Sequence, residues 1–206
     1  MGLIRRVVVL LVLLAPALTA RGASIRIGFE NGGLLPPNTG IIIPKYREAG
    51  FEFYDALPPF MGVPAGLGRV GPGGAVAANG TSTMDVLYAE SLAFDREDGG
   101  TFDLVSIDLA EYSTVYPTPM TIELVGDRVD GTSVAATFTT DGIVYGGSST
   151  VDFQTFALPD SFRDLIRVHS PTQGYAFDNV VVSVAPEPGA ALLAALVALV
   201  IRAARA

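Results

Sequence analysis

The stretch FDLVSIDLAEY, residues 102–112, decides the fold. Within it, apolar side chains alternate with small or polar ones at a period of two: Val105, Ile107 and Leu109 against Ser106, Asp108 and Ala110. Successive side chains of a β-strand point to opposite faces of the sheet, so this period is that of a half-buried strand. The sequence therefore predicts a long strand with one face in a core.

Segments of the same kind recur on both sides of it, and residues 24–184 contain no long stretch with helical periodicity. Asp-Gly turn dipeptides follow several of them, at 98–99, 130–131 and 141–142. About nine strands are predicted, at 25–29, 50–54, 102–112, 120–125, 134–139, 143–145, 151–158, 165–169 and 175–184. Residues 57–80, rich in Pro, Gly and Ala, are predicted to form a long irregular loop. The expected architecture is all-β, a β-sandwich (jelly roll) domain over residues 24–185.

Charge and cysteine content exclude several functions. Five of the 13 basic residues lie in the terminal segments, so residues 24–189 carry 8 basic and all 21 acidic residues, a net charge of −13. Nucleic acid is an unsuitable partner for such a surface, whereas divalent cations and neutral polymers suit it. The chain has no cysteine, which rules out disulfides, thiolate zinc sites and cysteine nucleophiles.

The N-terminal segment, residues 1–23, has the pattern of a secretory signal peptide. Arg5 and Arg6 precede an apolar run of eight residues, Val7 to Leu14, and small residues follow it. The alternative is a buried N-terminal strand, which two preceding arginines disfavour.

The C-terminal segment, residues 186–206, carries a second export pattern. Pro186, Glu187 and Pro188 precede an apolar run at 189–201, and Arg202 and Arg205 follow it. The pattern indicates a membrane helix with a cytoplasmic basic end, and the alternative is an Ala-rich helix docked on the domain. Thirteen residues at about 1.5 Å each span roughly 20 Å, which is shorter than the ~30 Å hydrocarbon core.

This segment resembles the PEP-CTERM sorting signal, a Pro-Glu-Pro motif followed by a hydrophobic helix and a basic end. The resemblance implies export in a Gram-negative bacterium, transient residence in the inner membrane, and cleavage by an exosortase-type enzyme. It also implies a final location at the cell surface or in the extracellular matrix of a biofilm rich in exopolysaccharide.

The predicted domain carries a further resemblance. Residues 28–30 (GFE), 102–109 (FDLVSIDL) and 176–180 (AFDNV) are similar to the strands of jelly-roll domains in PEP-CTERM proteins and in galactose-binding-like carbohydrate-binding modules. The resemblance implies a structural calcium ion held by Glu30 and Asp178, since calcium prefers hard oxygen ligands. The alternative is that Asp178 and Asn179 cap a strand or hydrogen-bond a turn.

No catalytic constellation is found in the sequence. His169 is the only histidine, and it ends a predicted strand without a nucleophile elbow elsewhere in the chain. The acidic run Asp95–Gly99 lacks the spacing of a calcium loop and indicates a solvated turn. Sugar rings usually stack on aromatic side chains, and the chain has no tryptophan. Tyrosines near loops or strand ends are the remaining candidates for a sugar platform: Tyr46, Tyr54, Tyr112, Tyr116 and Tyr145.

Three functions follow, in order of preference. The first is a non-enzymatic surface or matrix protein, structural or adhesive, sorted by an exosortase-type system. The second is a calcium-stabilised carbohydrate-binding module for exopolysaccharide. The third is a hydrolase, which requires a carboxylate pair that nothing in the sequence singles out.

Overall fold

A computed structural model describes residues 22–57, 66–73, 76–87, 91–115, 118–145 and 152–185. The predicted sorting segment and all but the last two residues of the predicted signal peptide lie outside these ranges. The chain divides into two units, Ile25–Val182 and a unit made of Met1–Ser24 with Ser183–Ala206. Within the described ranges there is no helix long and apolar enough to span a membrane.

Thirteen strands are present among the described residues. In chain order they are β1 Ala23–Ile27, β2 Gly40–Ile43, β3 Lys45–Glu48, β4 Phe51–Asp55, β5 Leu67–Val70, β6 Thr83–Val86, β7 Leu92–Arg96, β8 Asp103–Glu111, β9 Thr121–Arg128, β10 Ser133–Thr139, β11 Gln154–Ala157, β12 Leu165–His169 and β13 Tyr175–Val184.

The strands form two antiparallel sheets. The seven-stranded sheet has the order β11-β8-β13-β6-β5-β2, with β1 paired to β13, and the six-stranded sheet has the order β10-β9-β12-β7-β4-β3. The all-β prediction is confirmed, and the two sheets are consistent with the predicted β-sandwich of the jelly-roll kind.

Phenylalanine rings fill the space between the sheets. Phe53 of the six-stranded sheet stacks on Phe94 with ring centroids 4.9 Å apart, and it lies 6.3 Å from Phe177 of the seven-stranded sheet. Phe29 meets Phe53 and Phe177 edge-on at 5.0 and 5.2 Å. All four rings are fully buried, so they form the centre of the core.

The prediction of a long loop at 57–80 is wrong where β5 lies, and the segment 143–145 is not a strand. Five strands went unpredicted: β2, β3, β5, β6 and β7. Most are four residues long, too short for an alternation to be read. In addition, every residue of β6 is buried, so that strand shows no alternation at all.

The two sheets differ in what covers their outer faces. Ala77 packs on Ala110 and Ala176 of the seven-stranded sheet, with Val144 and Phe153 against this cluster. On the six-stranded sheet, the outward side chains are mostly half-buried or exposed. Among the described residues, the outer face of the six-stranded sheet is therefore accessible to a ligand.

A charged face around Tyr54

The outer face of the six-stranded sheet carries a line of charged side chains at one register level. Pairing between β3 and β4 sets Arg47 beside Glu52, and pairing between β4 and β7 sets Glu52 beside Asp95. Arg167 of β12 then lies between Asp95 and Asp127 of β9. The neighbouring level contains, in the same strand order, Lys45, Tyr54, Ala93, His169 and Val125. We call this surface the Tyr54 face, defined by Lys45, Arg47, Glu52, Tyr54, Asp95, Asp127, Arg167 and His169.

Tyr54 is held by charged groups on both flanking sides. Its hydroxyl donates a hydrogen bond to Oδ2 of Asp95 at 2.9 Å. The Nζ of Lys45 lies 5.6 Å from the ring centroid, and the guanidinium carbon of Arg167 lies 5.8 Å from it. Both distances are within the range of cation–π attraction. Ala93, which lies between Tyr54 and His169 in the register, is fully buried.

The protonation state of Tyr54 follows from this setting. Partial burial raises the pKa of Tyr54 to about 12, and the hydrogen bond to Asp95 adds to the rise, while the charge of Arg167 opposes it. At neutral pH the phenol is therefore a neutral hydrogen-bond donor, and its ring keeps an apolar surface.

Glu52 pairs with both cations of β3. Its Oε2 lies 2.6 Å from Nζ of Lys45, and its Oε1 lies 2.6 Å from an Nη of Arg47. These hydrogen bonds, that from Lys45 first, lower the pKa of Glu52. The carboxylate thus holds two long, exposed side chains at the rim of the face.

The opposite side of the face is more loosely paired. The Nε of Arg167 is buried and has no hydrogen-bond partner among the described residues. Nε2 of His169 lies 3.6 Å from Oδ2 of Asp127, and Oδ1 of Asp127 accepts a hydrogen bond from Ser133 at 2.8 Å. A buried polar atom without a partner costs roughly 1–3 kcal/mol, so this part of the face is not optimised for stability alone.

The charge of the Tyr54 face differs from that of the whole domain. It has three of the eight basic residues found in 24–189, Lys45, Arg47 and Arg167, against Glu52, Asp95 and Asp127. With His169 neutral the face has no net charge, whereas residues 24–189 carry −13. A surface with balanced donors and acceptors around an aromatic ring suits an uncharged polar ligand.

The two residues implied as calcium ligands contact the same short segment, residues 79–82. Oε1 of Glu30 accepts a hydrogen bond from the backbone N–H of Ser82 at 2.9 Å. Asp178 accepts from the Asn79 side-chain amide, from Thr81 Oγ1 at 3.1 Å, and from the backbone N–H of Asn179 at 2.6 Å.

Asp178 is fully buried, and burial raises its pKa to about 6, although its three hydrogen-bond donors oppose the rise. Its contacts are those expected of a carboxylate that hydrogen-bonds a turn. They agree with the alternative interpretation of Asp178, in which it is not a metal ligand. In the described part of the chain, no three His, Cys, Asp or Glu side chains cluster so as to hold a metal ion. Calcium binding by Glu30 and Asp178 stays a prediction.

The candidate tyrosines that the structure describes lie in different environments. Tyr46 is buried in the core, where its hydroxyl donates to Glu48 at 2.6 Å, and Tyr112 is half-buried. Tyr145 is exposed, and Tyr116 lies outside the described residues. Of the described candidates, Tyr54 alone lies on the charged face.

The acidic run 95–99 is partly a turn, as predicted. Residues 97–98 form the turn, where Asp98 accepts a hydrogen bond from the N–H of Gly100 at 2.9 Å. Asp95, however, belongs to β7 and to the Tyr54 face. Arg167 and Asp127 were not singled out from the sequence. The available signal for Arg167 was its charge between the apolar residues Ile166 and Val168 of β12. Strand β9 contains other charged residues, so Asp127 had no such signal.

The chain matches no known protein family, and its sequence is not significantly similar to that of any curated protein. Its structure is similar to that of a DUF4465 family protein from Bacteroides caccae, with a TM-score of 0.50 and 13% identity over 78% of this chain and 98% of that one. At this identity, the likeness shows a shared fold and nothing further.

A family 11 carbohydrate-binding module from Clostridium thermocellum, solved with a β-1,3-1,4-mixed-linked tetrasaccharide, matches at a TM-score of 0.32 and 10% identity, over 74% of this chain and 99% of that one. A second structure, the family 11 module of the cellulase Lic26A-Cel5E from the same organism, matches at 0.28 and 7%, over 72% and 96%.

Proposed function

We propose that this chain is a non-catalytic, exported adhesive protein whose Tyr54 face binds neutral polysaccharide. The observation that carries the proposal is the position of Tyr54. Its ring is half-buried between Lys45 and Arg167, and its hydroxyl is bonded to Asp95 on the open face of the sandwich.

The chemistry of the face matches that of a sugar. A pyranose ring has apolar C–H faces and a rim of hydroxyls that both donate and accept hydrogen bonds. Tyr54 supplies an aromatic ring, and the carboxylate of Asp95 and the guanidinium of Arg167 lie beside it. A sugar would stack on this ring in place of Lys45, whose exposed side chain lies over it in the free protein. The nearly balanced charge of the face favours a neutral polymer over an acidic one, which the net charge of −13 would repel.

Affinity electrophoresis of the protein through gels containing the producing organism's exopolysaccharide tests this proposal. Tyr54→Ala removes the ring and is expected to weaken binding at least about fivefold, seen as reduced retardation, because loss of a well-placed aromatic contact costs about 1 kcal/mol or more. Tyr145→Ala is the matched control, since it removes an exposed tyrosine outside the face. Equal retardation of the two variants would contradict the proposal.

We further propose that residues 1–23 direct secretion and that Pro186, Glu187 and Pro188 direct cleavage by an exosortase-type enzyme. The support is the order of charged, apolar and basic segments at both ends of the chain. Mass spectrometry of the protein isolated from the surface of native cells is expected to find neither the N-terminal apolar run at residues 7–14 nor residues 189–206. Recovery of the intact chain from the cytoplasm would contradict this.

A structural calcium ion at Glu30 and Asp178 is the remaining part of the proposal. It is supported by the convergence of both carboxylates on residues 79–82. Calcium is expected to raise the melting temperature of the wild-type protein and to leave Glu30→Gln unchanged. An equal change in melting temperature for both proteins, or no change in either, would contradict calcium binding at Glu30 and Asp178.

A further inference from the structure

Strand β10 ends the six-stranded sheet, and no described strand pairs with its outer edge. Its inner edge pairs with β9 without interruption, from Ser133 opposite Asp127 to Thr139 opposite Thr121. Alternate backbone N–H and C=O groups of this seven-residue strand therefore point away from the sheet. An open edge of this kind is a template for pairing with another strand.

The two edges of this sheet differ in how they are protected. At the opposite edge, β3 has the sequence KYRE, and the side chains of Lys45 and Arg47 are 57% and 63% exposed. Charged side chains on an edge strand discourage pairing with a second chain. The sequence of β10 is SVAATFT, which has no charge, proline or bulge. The end strands of the other sheet, β2 (GIII) and β11 (QTFA), are also uncharged but have only four residues each, so β10 is the longest of these three uncharged edges.

The sequence of β10 is complementary to itself in the antiparallel direction. With two copies centred on Ala136, Val134 faces Phe138, Ala135 faces Thr137 and Ser133 faces Thr139. No like charges meet within the strand, and aromatic residues pair well with β-branched ones across strands.

An apolar contact already lies beside this edge. The ring of Phe138 is 5.2 Å from that of Phe156 on β11, the end strand of the other sheet, and both residues are only half-buried. A second copy on β10 would cover this pair.

We propose that two copies of this chain pair through their β10 strands, antiparallel and centred on Ala136, to form one continuous twelve-stranded sheet. The twofold axis of such a pair is perpendicular to the sheet, because both strands keep the same faces outward. The pairing follows from the exposed edge of β10 and does not depend on the proposed function. One consequence of the pairing does depend on that function. The two Tyr54 faces would lie on one surface, about 40 Å apart over nine strand spacings, so that one polymer chain can contact both.

Charge substitutions at the paired positions test the register directly. Ala135 and Thr137 are both exposed, so substitutions there are not expected to disturb the fold. The double variant Ala135→Lys/Thr137→Lys sets lysines opposite each other twice across the axis. The matched variant Ala135→Lys/Thr137→Glu sets lysine opposite glutamate at the same positions.

Sedimentation equilibrium of the full-length chain in mild detergent, over a dilution series, measures the outcome. The wild type and the Lys/Glu variant are expected to be dimers, and the Lys/Lys variant a monomer with an unchanged circular dichroism spectrum. A monomeric wild type, or equal masses for the two double variants, would overturn the proposal.

A second measurement uses the absence of cysteine from the chain. Ala136→Cys lies on the proposed axis and is expected to form a disulfide-linked dimer on mild oxidation, whereas Arg47→Cys on β3 is not. Equal crosslinking of the two variants would overturn the proposal. This result does not decide the proposed polysaccharide binding, since Tyr54→Ala is expected to weaken binding whether or not the protein is a dimer.

Discussion

At the scale of single residues, the buried carboxyl of Asp178 links the stability of the fold to pH. Burial raises its pKa to about 6, from an ordinary value of 3.8 that applies in the unfolded chain. The folded protein therefore holds a proton on Asp178 more tightly than the unfolded chain does. Its contribution to stability is largest below about pH 4 and is lost as the pH rises through about 6.

This predicts a stability change of about 3 kcal/mol from Asp178 across that window. Urea unfolding in chelator, at several pH values between about 4 and 7, measures it by comparing the wild type with Asp178→Asn. The wild type is expected to lose stability relative to the variant as the pH rises, because the variant has no carboxyl to ionise. A difference that stays constant over the window would refute the assignment.

The candidate site was only partly predictable at this scale. Tyr54 was a candidate for sugar binding because it lies at the end of a predicted strand. Asp178 was a candidate calcium ligand because residues 176–180 resemble a strand of galactose-binding-like modules. Arg167 was not identified, because its importance depends on a diagonal neighbour, Tyr54, that is 113 positions away in the chain. Such a contact follows from strand order, and a single sequence does not specify strand order.

At the scale of elements, strand β5 holds the loop after β1 in place through one buried side chain. Nε of Arg69 donates to the carbonyl of Phe29 at 3.0 Å, and an Nη donates to the carbonyl of Gly33 at 2.6 Å. Phe29 has a φ of +60°, which is strained for a large side chain. Arg69 therefore stabilises a loop whose backbone is strained at Phe29.

Arg69→Met is expected to destabilise the protein by about 2–4 kcal/mol, since two carbonyls lose a charged donor. Arg163→Met is the matched control, because Arg163 pairs only with exposed Asp160, and its loss is expected to change stability by less than about 0.5 kcal/mol. Denaturant unfolding of both variants measures the difference, and similar losses from the two would contradict the role of Arg69.

Strand existence was predictable where a run rich in Val, Ile and aromatic residues is bounded by turn residues. The predicted bounds of β12 and β13 agree with the structure, and β8 differs by one residue at each end. Strand β6 was not predicted because the segment carrying Ala77 packs over its sheet, which removes the alternation that a half-exposed strand shows. Burial of both faces of a strand depends on the tertiary arrangement and leaves no local pattern.

At the scale of the whole molecule, the outer faces of the two sheets differ in their covering and in their charge. The seven-stranded sheet is covered by chain segments at Ala77 and Phe153, while the six-stranded sheet presents the Tyr54 face. Residues 24–189 carry a net charge of −13, yet three of their eight basic residues lie on that one face. This distribution of charge agrees with the proposed assignment of the ligand to the Tyr54 face, which rests on the position of Tyr54 itself.

The most direct test of that assignment uses the only histidine of the chain, His169, which lies on the Tyr54 face. Because the chain has one histidine, its imidazole proton signals in an NMR spectrum belong to His169 without further assignment. They therefore report on the Tyr54 face. On titration with oligosaccharides from the producing organism's exopolysaccharide, we expect these signals to shift saturably in the wild type and to stay unshifted in Tyr54→Ala. Saturable binding that leaves the His169 signals unmoved would show that the ligand binds elsewhere and would contradict the account.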